Sequence, residues 1–179
     1  SSGISIESNF KTKIKYDLKN NSKKDLFSDF KYFNNVIELR ANLLNSLSIN
    51  LDETYKLISY KFNNSGKITE ATFDPKKTPG NELLKKNLGL LSLKNANIIT
   101  NSKLKENSIK LEGKYSLNNG NLLDFKLKNT FKKDFLSLSL EAEYDNLVEI
   151  DFINYKKRRD IVAIINLDLV KQKENLNIK

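Results

Sequence analysis

Residues 4–18 read ISIESNFKTKIKYDL. Ile4, Ile6, Ser8, Phe10, Thr12, Ile14, Tyr16 and Leu18 occupy every second position. Ser5, Glu7, Asn9, Lys11, Lys13, Lys15 and Asp17 fall between them. Successive strand side chains point to opposite faces, so this spacing predicts a strand with one mainly apolar and one polar face. A helix would scatter the same residues around its circumference. Unbroken, the strand would be roughly 50 Å long at about 3.3 Å per residue, well beyond the ~5–6 residues of an ordinary globular strand.

The same reading extends along the chain. Ile37, Leu39, Ala41, Leu43, Leu47, Ile49 and Leu51 alternate with polar residues, with Asn45 as one interruption on the apolar face and Leu44 on the polar one. Tyr55 to Phe62 reads as a strand, Asn63-Asn64-Ser65-Gly66 as a hairpin turn and Ile68 to Phe73 as its return, because Asn and Gly tolerate the positive φ of such turns. Asp74 to Gly80 holds both prolines and is the main break; residues 81–88 suit a short helix with Asn81 as its cap. The chain therefore reads as one segment, with 75–80 as a candidate subdivision between 1–74 and 81–179.

Beyond Gly89, Leu91, Leu93 and Ala96 to Ile99 form one strand, and Ile109, Leu111, Gly113, Tyr115 and Leu117 the next. Asn118-Asn119-Gly120 turns it. Leu123, Phe125, Leu127 and Phe131 return, then Leu136, Leu138, Leu140, Ala142 and Tyr144. Val148, Ile150 and Phe152 follow, with a turn at 156–160. Ile161, Ala163, Ile165, Leu167 and Leu169 come next, and Leu176 and Ile178 open a last strand. Short polar turns between consecutive strands imply an all-β, antiparallel up-and-down meander.

Composition bounds the chemistry. The chain has 179 residues, 39% of them hydrophobic and 30% charged, with a net charge of +9, a balance that suits a thin structure with much polar surface. It lacks Cys, so no disulfide or thiolate site can form. It also lacks His, the commonest general base. It lacks Met and begins Ser1-Ser2-Gly3, which reads as a piece of a longer protein. Glu141 with Glu143, and Glu149 with Asp151, are carboxylate pairs on polar strand faces, where solvated charge is the simpler role than acid–base work. Lys156-Lys157-Arg158-Arg159 could meet phosphate, but reads first as a solubilising turn. Gly113 within a strand suggests a bulge or bend. Phosphate loops, zinc spacings and nucleophile elbows are absent from the sequence. An enzyme is the least expected class, and no cofactor is implied. Nucleic acid is not expected either, because the aromatics alternate with the apolar residues rather than with the lysines.

The apolar face has to be covered. A sandwich or small barrel would cover it as a dry core, in a structural or protein-interaction domain. A membrane barrel would turn it toward lipid. An open, curved trough would leave it for acyl chains.

The segments GLLSLKNANIITNSKL (89–104), SIKLEGKYSLNNGNLLDFKL (108–127) and DFINYKKRRDIVAIINLDL (151–169) resemble AsmA-like, YhdP-like (DUF3971-type) bacterial envelope proteins. The likeness is one of texture: alternating strands, a Gly within a strand and a Lys-rich turn. It implies a segment of a periplasmic protein, anchored in the inner membrane through segments outside this piece, next to further β-repeats of the same chain. Phospholipid acyl chains would travel along its trough toward the outer membrane. The expected trough lining is Ile4, Ile6, Phe10, Ile14, Ile37, Leu39, Leu43, Leu47 and Ile49 in the first half. In the second half it is Ile109, Leu111, Leu138, Leu140, Ile150, Phe152, Ile165 and Leu167.

Overall fold

The structure, a computed structural model, describes residues 3–17, 35–74, 89–145, 148–150, 155–158, 161–173 and 175–178. The readings at 18–34, the helix expected at 81–88 and the Pro/Gly segment 75–80 lie outside them. The described chain is all-β, with eleven strands: β1 (Ile4–Asp17), β2 (Val36–Leu51), β3 (Leu57–Phe73), β4 (Leu91–Lys103), β5 (Glu106–Leu117), β6 (Leu123–Lys132), β7 (Phe135–Tyr144), β8 (Val148–Ile150), β9 (Tyr155–Lys157), β10 (Ala163–Gln172) and β11 (Asn175–Ile178). Nine form a single antiparallel sheet in the order β1-β2-β3-β4-β5-β6-β7-β10-β11, which is not closed into a barrel. The first two strands are 14 and 16 residues long, as the long alternation predicts, and the third, at 17, runs through the stretch read as a hairpin.

Register carries one apolar face through all nine strands. Across β1 and β2, Ile6 pairs with Ile49 and Ile14 with Ala41. Leu39 then pairs with Ala71, and Ala71 with Leu93. Leu93 pairs with Tyr115, Leu111 with Leu127 and Leu127 with Leu140, and Leu140 with Leu167. Directly paired residues project to the same side, so these rows define a continuous surface, called the apolar face below. The buried hydrophobic residues cluster on it, among them Ile68, Leu93, Leu123 and Phe125.

Three sequence expectations are corrected. Asn63-Asn64-Ser65-Gly66 is not a turn: β3 runs straight through it, with Asn64 opposite Asn45 on one side and Thr100 on the other. Its turn chemistry is outweighed because β2 and β4 flank the whole stretch, facing Asn63 and Asn64 with polar residues, and the ladder satisfies the backbone on both sides. The β2–β3 turn lies earlier. Tyr55, expected in a strand, takes φ 62°, and Asp52 accepts from Thr54 N at 2.8 Å, Thr54 Oγ1 at 2.8 Å and Lys56 N at 3.0 Å. Finally, β8 does not continue the meander, and Tyr155–Lys157 is a strand rather than a turn. These two three-residue strands pair only with each other, while β10 offers ten alternating residues and pairs directly with β7.

Bulges tune the sheet. Thr69 is an extra residue of β3 opposite β2, and its hydroxyl donates to the Arg40 carbonyl at 3.1 Å. Beside it, β4 fits Asn95 (φ 53°) and Ala96 opposite the lone Gly113 of β5. A Cβ on Gly113 would stand 2.5 Å from the Ala96 Cα, so only glycine lets the backbones approach this closely. The bend suggested at Gly113 is thus a bulge. The turn read at Asn118-Asn119-Gly120 is present, with both asparagines at positive φ (53° and 59°) and Gly120 N donating to Leu117 O at 2.9 Å, a type I′ arrangement.

Candidate functional site: an apolar basin on one sheet

No large side chain among the described residues is fully buried; Ala71 and Ala96 are the two at 0% exposure. The reason is architectural. The nine-stranded sheet is one layer thick, and a layer can bury its small residues under larger neighbours but cannot hide the larger ones without a second layer. Ile6 and Phe10 remain 47% and 45% exposed.

On the apolar face lies an open basin of about 530 Å³. Phe73 of β3 and Leu91 and Leu93 of β4 line one flank. Leu111, Tyr115 and Leu117 of β5 and Phe125 and Leu127 of β6 form the floor. Leu140, Ala142 and Tyr144 of β7 and Ile165 of β10 form the other flank. The rings of Tyr115 and Phe125 meet edge to face, with centroids 5.9 Å apart. The tyrosine hydroxyl is turned out of the oily space and donates to the Glu143 carbonyl. Burial holds the Tyr115 phenol above its ordinary pKa, with smaller contributions from Asp145, Tyr144 and Glu143.

A polar row crosses the apolar face beyond the basin. Asn45, itself buried, donates through Nδ2 to the Phe10 carbonyl at 3.2 Å and to Thr12 Oγ1 at 2.9 Å. It accepts from Asn64 Nδ2 at 2.8 Å. The single interruption read at Asn45 is therefore a cross-strand network. At the β1 end of this row Phe10, paired with Asn45, stacks on Phe62 with ring centroids 6.5 Å apart.

The expected lining residues divide accordingly. Leu111, Leu140 and Ile165 line the basin. Ile4, Ile6, Phe10, Ile14, Leu39, Leu43, Leu47 and Ile49 stand on the same face in β1 and β2. So do Ile109, Leu138 and Leu167, in β5, β7 and β10. Ile37 is the extra residue of a bulge, and Val36 takes the place opposite Phe73. Ile150 belongs to β8, outside the large sheet, and Phe152 lies outside the described residues. The other nine basin residues, Phe73, Leu91, Leu93, Tyr115, Leu117, Phe125, Leu127, Ala142 and Tyr144, fall outside the expected lining. They obey the same alternation, and only pairing register shows that they converge.

The opposite face is polar and laced across strands. Arg40 reaches Glu70 at 3.7 Å, Lys114 reaches Asp124 at 2.8 Å, Lys126 reaches Glu141 at 2.9 Å and Lys132 reaches Glu106 at 3.4 Å. Glu143 accepts from Asp124 N at 3.0 Å. Glu141 and Glu143 thus serve register. The hydrogen bond to Glu141 raises the Lys126 pKa, and that to Asp124 raises the Lys114 pKa. Lys157 of the basic run is buried; its ammonium donates to the Arg158 carbonyl at 2.9 Å and lies 5.6 Å from the centre of the Tyr144 ring. Among the described residues no acidic cluster could hold a metal ion, and no helix is long and apolar enough to cross a membrane.

No protein-family model matches this chain, and no curated protein or solved structure matches it either.

Proposed function

We propose that this chain is a segment of a lipid-carrying β-trough, and that phospholipid acyl chains lie along its apolar face with their headgroups in water. The observation that carries this reading is the basin: about 530 Å³, lined by aliphatic and aromatic side chains, on a sheet not closed into a barrel. Hydrocarbon is recognised by removal from water, at about 25 cal/mol per Å² or ~0.8 kcal/mol per methylene. Such recognition needs no directional chemistry, which fits a surface without an acid–base or metal constellation. The resemblance to AsmA-like proteins supports the same reading, and with it a periplasmic location between inner and outer membranes.

Leu127 and Lys128 are neighbours on opposite faces, which gives a direct test. A photo-crosslinking residue at Leu127 should capture phospholipid during expression and purification, while the same residue at Lys128 should not. Failure at Leu127, or equal capture at both, rejects the proposal. Capture of protein instead of lipid would favour an interaction domain.

A further inference from the structure

The polar row that begins at Asn45 continues across the sheet. Every strand from β2 to β6 places a polar side chain on the apolar face just beyond the basin. Asn45 stands opposite Asn64, and Asn64 opposite Thr100. Thr100 and Asn129 both stand opposite Ile109, and Ser102 stands opposite Asn107 one pairing step further on. Alternation alone would put apolar residues at these positions. Ser102 donates to Asn107 Oδ1 and lies 3.4 Å from the Tyr60 hydroxyl. The belt is not saturated, however. Oδ1 of Asn64 and Oδ1 of Asn129 are buried without a hydrogen-bond partner among the described residues. A covered acceptor without a donor is costly. The terminal torsion of an asparagine is soft, so either oxygen can turn to water, or to a headgroup ammonium or hydroxyl, above the sheet. A methylene offers it no donor.

On the basin side, Leu111 and Leu127 stand one pairing step from Ile109 and Asn129. Leu91 and Leu117, paired with each other, lie at the opposite end of the basin. Leu111 and Leu117 are about 20 Å apart along β5 at about 3.4 Å per residue. Polarity thus changes along the strands, from belt to basin. That is the pattern of an amphiphile. We propose that the belt seats the polar end of the phospholipid, with its acyl chains running along the strands into the basin. This inference rests on the lipid reading above and adds an orientation to it. Asn64 and Asn129 are positioning residues: they leave room for a donor where hydrocarbon would strand an acceptor. A lipid lying across the strands would either cover the belt with methylenes or hold its headgroup over leucines.

Two phospholipids, one brominated near the ester end of its acyl chains and one near the methyl end, would be mixed with Leu111→Trp and Leu117→Trp variants; the chain has no other Trp. Ester-end bromines should quench position 111 more than 117, and methyl-end bromines 117 more than 111. Ile98→Trp and Leu91→Trp, which pair with these positions from β4, repeat the comparison if circular dichroism shows that a β5 variant does not fold. The same quenching ratio at both positions, or the reverse order, would overturn the orientation and leave the lipid reading standing. No quenching at either position would overturn both. Asn129→Leu with Thr100→Val should erase the gradient while total quenching persists. Asn129→Leu alone should leave the urea midpoint unchanged or raise it, because its oxygen has no bond to lose, so a lost gradient is not a lost fold. A gradient that survives the double replacement would overturn the role of the belt.

Discussion

Asn45 illustrates how one residue can organise an apolar surface. Its carboxamide is buried and makes bonds to β1 and β3 at once. Replacing it with Ala should cost about 1–3 kcal/mol, since the Asn64 amide and Thr12 hydroxyl lose their partner; chemical denaturation would show the loss. Replacing Asn45 and Asn64 together with Leu should recover part of it, because the Asn64 amide goes with its partner and only the half-buried Thr12 hydroxyl is left unmatched. Tyr115 gives a pH prediction. Its folded pKa is raised, chiefly by burial, so the folded chain keeps the phenolic proton at a pH where the unfolded chain releases it. The stabilisation is whole below about pH 10 and fades as pH rises through the folded value. Thermal melts should lose stability above about pH 10, and Tyr115→Phe should flatten that slope. The opposite sign applies at Asp52, whose pKa is lowered by hydrogen bonds from Lys56 N, the Thr54 hydroxyl and Thr54 N. Its contribution to the β2–β3 turn is present above the ordinary carboxylate pKa and disappears as pH falls through the lowered one.

Strand identity and face were legible because period-2 alternation survives in almost every element. Ile4 to Asp17 needed no further information: the predicted strand and β1 coincide over these residues, and Leu18 lies outside the described ones. Turn positions were less legible. Asn63 to Gly66 carry the residues a hairpin prefers, yet those preferences yield when two neighbouring strands present Asn45 and Thr100 to the same stretch. The basin was less legible still. Leu93 and Ala96 share a face only because a bulge shifts the phase between them, and no local periodicity announces that. Gly113 is the element-scale test of this bulge. Gly113→Val should destabilise the sheet by about 1–3 kcal/mol, because its side chain would meet the Ala96 backbone, and urea unfolding would report it.

For the whole molecule, the decisive quantity is how little a single sheet can hide. Nine strands align their apolar residues on one side, and the described chain fully covers only alanines there. β3 and β4, on either side of residues 75–80, pair directly, so the apolar face crosses that break without interruption. The polar side is laced by its own cross-strand charges. An oily face of this extent calls for an occupant, and we propose hydrocarbon.

The chain contains no Trp, so a single introduced tryptophan reports on one position alone. Leu127→Trp and Lys128→Trp variants would be mixed with phospholipid brominated along its acyl chains. Emission from position 127 should shift to the blue and be quenched, while emission from position 128 stays unchanged. An unquenched tryptophan at 127, or equal quenching at both, would contradict an acyl-chain trough.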